Sequence, residues 1–207
     1  SERTPLNYYS KKPEGGLSQA WNNMTQNFGA TYKETKKSFA FEGLVITSGH
    51  EFFTERGYIP GEPLPQELQK FFEDCYAFAL RQIGYHGTDQ NILSAVIHLD
   101  ETTPHLQLYY IPIVDEGRKK VYAKDERGKT LRNAKGSPVQ AKDSSGKGIF
   151  TSAKLKRPKV CSSEFWEQRG AQTSFGNLQD EFHEQVARYY GLERGEVGSN
   201  KKHTTKY

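Results

Sequence analysis

Cysteine is nearly missing from this chain: there are two in 207 residues, Cys75 and Cys161, and they lack C-x-x-C spacing. That excludes a disulfide framework and a zinc knuckle. Long apolar runs are missing too. No stretch approaches the roughly 20 residues that span a bilayer, and no signal-peptide-like segment opens the sequence, so a cytoplasmic protein is expected. Apolar residues make up only 34% of the chain, yet aromatics reach 13%. A disordered chain would be poor in aromatics, so the composition points to a globular body with polar excursions. The length predicts a single domain over 1–207, carrying a large insertion. Cys75 sits in an apolar helical stretch and reads as a buried free thiol.

Acidic residues are scarce in one region. Between Gly117 and Lys159 fourteen Lys/Arg face three acids, Asp125, Glu126 and Asp143. The segment therefore carries +11, and with a chain total of +4 the remainder carries −7. Such lopsidedness is the footprint of a polyanion-binding surface; the alternative is a solvated loop whose lysines serve solubility. Arg118, Lys119, Lys120, Lys124, Arg127, Lys129 and Arg132 are the expected contacts to a nucleic-acid backbone.

Apolar spacing predicts the remaining elements. A polar start gives loop, then a short helix around Leu17–Asn27. Phe41–Ser48, "FEGLVITS", is a β-branched run that reads as a strand. "PQELQKFFEDCYAFALRQIG" places Leu68, Phe71, Phe72, Tyr76, Phe78, Ala79 and Ile83 at helical intervals between Pro65 and Gly84. Asn91–Leu99 and His105–Val114 read as two strands joined by the turn "DETTP". A basic insertion over 115–160 follows. Within it "VYAKDERGKTL" suggests a β-ribbon turning at Glu126–Gly128, and "AKGSPVQAKDSSGKG" reads as flexible loop with no internal repeat. A last helix carries Leu178, Phe182, Val186 and Tyr190 on one face and stops at Gly191. The order predicts an α+β fold, an antiparallel sheet with helices packed on one face.

"HLDETTPHLQL" (98–108) is the stretch with chemistry in it. Alternation puts His105 and Gln107 on one face of a strand and Leu106, Leu108 and Tyr110 on the other. His98 ends the neighbouring strand and is expected beside His105. Two imidazoles and an amide oxygen would suit Mn²⁺, or Mg²⁺ with water and phosphate completing its shell. Asp100 or Glu101 would orient an imidazole or act as a base. The bland alternative is an ordinary polar turn.

The same stretch resembles the metal-binding motif of the Mob/Pre (MobV-type) plasmid mobilisation relaxases, a branch of the HUH endonucleases, His-x-Asp-Glu-x-Thr-Pro-His-x-His. Gln107 stands where the pattern ends in histidine. "ERTPLNYY" (Glu2–Tyr9) resembles the family's Arg-x-x-x-Asn element, here Arg3 and Asn7, and "LERGEVGSNKKH" its segment after the last core helix. The resemblance implies a palm-type relaxase sandwich that nicks one strand of origin-of-transfer DNA, recognised as hairpin and single strand, and stays joined to the 5′ phosphate. It implies His98, His105 and Gln107 at the metal, Glu101 and Asp100 in the catalytic centre, and Arg3 and Asn7 at the DNA. Conjugation accessory proteins and a C-terminal domain are the further expected partners. The family's nucleophile segment precedes the Arg-x-x-x-Asn element, where this sequence opens; it is expected upstream, or else Tyr8 and Tyr9 are the nearest candidates. Two other readings stay open: an origin-DNA-binding module without cleavage, and a metal-independent protein whose basic segment binds RNA or a partner.

Overall fold

The computed structural model describes residues 6–35, 38–170 and 174–195. At its centre is an antiparallel four-stranded sheet in the order β1 (Tyr8–Lys11), β3 (Ile92–His98), β4 (His105–Tyr110), β2 (Glu42–Thr47). In β4 every second side chain, Leu106, Leu108 and Tyr110, is buried, while His105, Gln107 and Tyr109 face the other way. Register carries that split across the sheet, because directly opposed residues share a face. Ile46 and Ile97 oppose Leu106 and join the core, whereas Thr47 and His98 oppose His105.

The buried face packs against α3 (Gln66–Ile83). Leu68, Phe71, Phe72, Cys75, Phe78, Ala79 and Ile83 recur at three- and four-residue intervals and are all buried there. Cys75 is a free, buried thiol, as expected, and burial pushes its titration up. Gly84 ends the helix for a steric reason: a β-carbon there would lie 2.4 Å from the carbonyl oxygens of Leu80 and Thr88. A short α2 (His50–Thr54) adds Phe52 and Phe53 to this core, and Phe53 stacks on Phe72 with centroids 5.9 Å apart. The C-terminal helix α5 (Ser174–Gln185) and a 3₁₀ turn (Ala187–Tyr190) close the same layer through Phe182, Val186 and Tyr190. Helix α1 (Leu17–Phe28) lies against one end of the opposite face, where Ala20 meets Leu93, Ile111 and Ile113.

The strand expected over His105–Val114 divides in two. Pro112 has no N–H to continue a ladder, so β4 stops at Tyr110 and a new strand, β5 (Ile113–Lys120), leaves the sheet. Asn91 pins the break: buried among apolar neighbours, it donates to the carbonyls of Ile83 and Ile111 and accepts from the amide of Tyr85. β5 pairs with β6 (Phe150–Val160), a strand with alternation too polar to announce itself, and α4 (Ser162–Glu167) returns the chain to the core through Phe165.

Beyond the rung that pairs Lys120 with Phe150, the expected flexible loop is ordered structure. Three hairpins fold over 125–129, 133–137 and 143–147, the first of them at the turn expected from sequence. Each begins with Asp or Asn and reaches a glycine three residues later, so the segment does hold a repeat. The Oδ1 of Asp125, Asn133 and Asp143 accepts amides two and four residues on, at 2.9–3.0 Å. Gly128, Gly136 and Gly146 turn the chain at φ of 77°, 77° and 82°, a region that side chains disfavour. The arms hang from two closed backbone rings. Ala123 donates to Val139, Val139 to Leu131 and Leu131 back to Ala123; Val121, Ile149 and Ala141 repeat the circuit.

Candidate functional site

At the turn end of the sheet, His98 and His105 are opposed in register, and their rings stack with centroids 4.9 Å apart at 23°. The expected pairing of the two imidazoles is therefore met. Gln107, two residues along the same face, directs Oε1 to His98 Nε2 at 3.1 Å and donates from Nε2 to the Tyr109 hydroxyl at 2.9 Å. His105 Nδ1 lies 3.2 Å from the carbonyl of Thr103, which can only accept from it. His98 Nδ1 faces the Asp100 carboxylate at 3.4 Å and the Asn7 amide at 3.4 Å.

Nδ1 of each ring is thus met by the protein, as in metal-ligating imidazoles, while His98 Nε2 is paired with the Gln107 amide oxygen, a contact that an ion between the two rings would replace. Among the described residues no three His, Cys, Asp or Glu side chains form a metal cluster. The third donor of such a site would be the Gln107 amide oxygen, and a His₂-plus-oxygen set suits Mn²⁺ better than a tetrahedral zinc site.

The turn itself is clamped. The Thr47 hydroxyl donates to Pro104 O at 2.8 Å, the Leu99 amide donates to Asn7 Oδ1 at 2.8 Å, and the Tyr58 hydroxyl reaches Leu99 O. Beside it opens a cleft of about 790 Å³ lined by Thr47, His50, Glu101 and His105. Glu101 is the one carboxylate on that wall.

Tyr8 and Tyr9 point to different sides. Tyr9 opposes Val96 and so shares the face of His98 and Gln107; Tyr8 opposes Ile97 and lines a groove with Leu64 and Leu99 on the α3 side. Asn7 is placed beside His98, whereas Arg3 lies outside the described residues. Lys119 and Lys120 are exposed at the end of β5, and Lys124, Arg127, Lys129 and Arg132 are exposed on the hairpin arms, away from the core; Arg118 lies on β5 between Gly117 and Lys119. Sequence reasoning missed Lys135, Lys142 and Lys147, which ride on the same arms, and Tyr109, whose place at two residues from Gln107 was readable from strand alternation.

Residues 1–158 match the family model described as plasmid recombination enzyme, Mob_Pre. This chain belongs to the Mob/Pre family. Among curated Mob/Pre proteins, the plasmid recombination enzyme of a Bacillus species is 27% identical over 174 residues, covering 84% of this chain and 28% of that protein. The type 1 enzyme of Staphylococcus aureus is 34% identical over 87 residues, which cover 42% of this chain and 18% of its own length. The chain thus spans well under a third of these relatives. In fold it is similar to the MobM relaxase domain, a Mob/Pre protein crystallised with manganese and plasmid pMV158 oriT DNA. That likeness has a TM-score of 0.56 at 20% identity and covers 99% of this chain and 77% of the other. The α+β class with an antiparallel sheet is thereby borne out. Among the described residues no helix is long and apolar enough to cross a membrane.

Proposed function

We propose that this domain is a relaxase that acts in the cytoplasm, binding origin-of-transfer DNA and nicking one strand for plasmid mobilisation. One observation carries the reading: two stacked imidazoles and an oriented amide on the open sheet face of a Mob/Pre chain. His98, His105 and Gln107 would hold a divalent ion, Mn²⁺ or Mg²⁺. When bound, that ion supplies Lewis-acid polarisation of the scissile phosphate. Asp100 and Asn7 orient the His98 ring, and Glu101, on the cleft wall, is placed to take a proton near the reacting phosphate.

A single strand has a track to follow toward these groups. Tyr9 and Phe41 are exposed, and Phe41 meets Tyr109 edge-on on the face that carries the histidines; bases stack on such aromatic surfaces at about 1–3 kcal/mol each. The basic insertion over 115–160, within one domain, supplies the charge that holds a hairpin backbone through Lys119, Lys120, Lys124, Arg127, Lys129, Arg132 and Arg118. Should the nucleophile be one of the two tyrosines, the face placement favours Tyr9. Its oxygen would then add to phosphorus as its proton passes to a base such as Glu101, the 3′ oxygen would leave and take up a proton, and the 5′ phosphate would stay on the protein as a phosphodiester.

The test is incubation of the protein with a single-stranded origin oligonucleotide and Mn²⁺, followed by denaturing electrophoresis and mass mapping. A cleaved strand and a covalent adduct are expected, both lost in His98→Ala/His105→Ala. An adduct that survives Tyr9→Phe moves the nucleophile elsewhere. Tight, salt-sensitive binding with no cleavage under any condition establishes the binding-module reading instead.

A further inference from the structure

We infer that Tyr109 is a positioning residue for the metal site, acting through Gln107; the inference rests on the metal-site reading above. A histidine offers a metal the same kind of atom whichever way its ring is turned. An amide does not, since one end is an acceptor and the other a donor. Gln107 can replace an imidazole only if its oxygen, and not its NH₂, faces the two histidines.

Tyr109 holds that choice when its own hydroxyl proton is turned to solvent, since its oxygen can then only accept. Its oxygen accepts from Gln107 Nε2 at 2.9 Å, occupying the donor end and leaving Oε1 toward His98. The phenol is itself held in place. Its ring lies over the bare backbone of Gly43, where even a β-carbon would sit 3.4 Å from Cε1, and the Phe41 ring meets it edge-on at 5.7 Å and 86°. Gly43 and Phe41 belong to the neighbouring β2 and the residue preceding it, so that edge of the sheet fixes the phenol, the phenol fixes the amide, and the amide presents oxygen. None of Phe41, Gly43 and Tyr109 would itself ligate the ion.

The experiment is a Mn²⁺ titration, read by electron paramagnetic resonance and calorimetry, on four proteins: the wild type, Tyr109→Phe, Gln107→His and the double variant. Tyr109→Phe removes one hydrogen-bond acceptor and keeps the ring, so the fold is retained and checked by circular dichroism. In the Gln107 background it weakens Mn²⁺ binding by about 2- to 10-fold, the range of a single hydrogen bond. In the Gln107→His background the same change has less than about a twofold effect. Equal weakening in both backgrounds, or none in either, overturns the role of Tyr109 while leaving the metal site standing. A wild type that binds no Mn²⁺ overturns both.

Discussion

Six of the seven side chains of β3 are buried, whereas none is buried between Val121 and Ile149. The sheet and the hairpin arms thus obtain order from different sources. In the sheet, apolar area leaves water and the backbone ladder follows. In the arms, the backbone and three Asx side chains satisfy one another, and the side chains stay in solvent. The first arrangement holds two imidazoles within a few ångströms of each other and tolerates little. The second sets cations at the ends of short levers, where position matters less than charge. On the proposed reading, catalytic geometry and electrostatic grip would each fall to the kind of structure that suits it.

That division is most severely tested by excision. Replacing 121–149 with a two-residue Asn-Gly turn between β5 and β6 should lower affinity for an origin hairpin on the order of 100-fold. It should also flatten the log–log salt dependence by about 0.9 for each phosphate that the arms had neutralised. Mn²⁺ affinity should not change. An unchanged salt slope would make the arms bystanders and favour the solvated-loop alternative.

Paired substitutions come next. Phe71→Ala, in the fully buried aromatic cluster, should destabilise the domain by about 3–5 kcal/mol, seen alike by fluorescence, circular dichroism and metal release. Gly136→Ala places a β-carbon at φ 77° and should cost about 1–2 kcal/mol. Only amides of that arm should report it. A global melting shift after Gly136→Ala would show that the two regions fold as one unit.

How much of this was legible follows from the same contrast. The β3–β4 hairpin, the facing histidines and α3 were readable because burial imposes periods of two and of three to four on the sequence. Short or edge elements escaped: β1 is four residues long, and β6 alternates among Thr, Ser, Lys and Arg with little apolar signal. The second and third arms escaped because a segment without a core has no hydrophobic period at all. The signal of the arms was the spacing from Asp125, Asn133 and Asp143 to Gly128, Gly136 and Gly146, which is turn chemistry rather than patterning. Pro112 was visible, but the apolar residues on either side of it concealed the break.

The smallest expected effect separates two arms from each other. The hydroxyl of Ser145, then the backbone amides, hold the Asp143 carboxyl below its ordinary 3.8. A depressed carboxylate contributes above its unfolded value and ceases to contribute as pH falls through the folded one. The Ser145 and Lys147 amides should therefore stay protected above about pH 4 and open in stronger acid. The Asn133 arm, with no proton to gain, should stay closed over the same range. Identical acid profiles in the two arms, followed by amide chemical shifts, would remove the carboxylate from the account.

The two backbone rings leave a mark in time as well as in space. Six amides, those of Val121, Ala123, Leu131, Val139, Ala141 and Ile149, are each locked to a partner that is locked in turn. A deuterium-exchange record of this segment would thus be punctuated: slow protons at the six ring amides and at the bonded turn amides, interrupted by fast ones, in a stretch that has no interior to shield them.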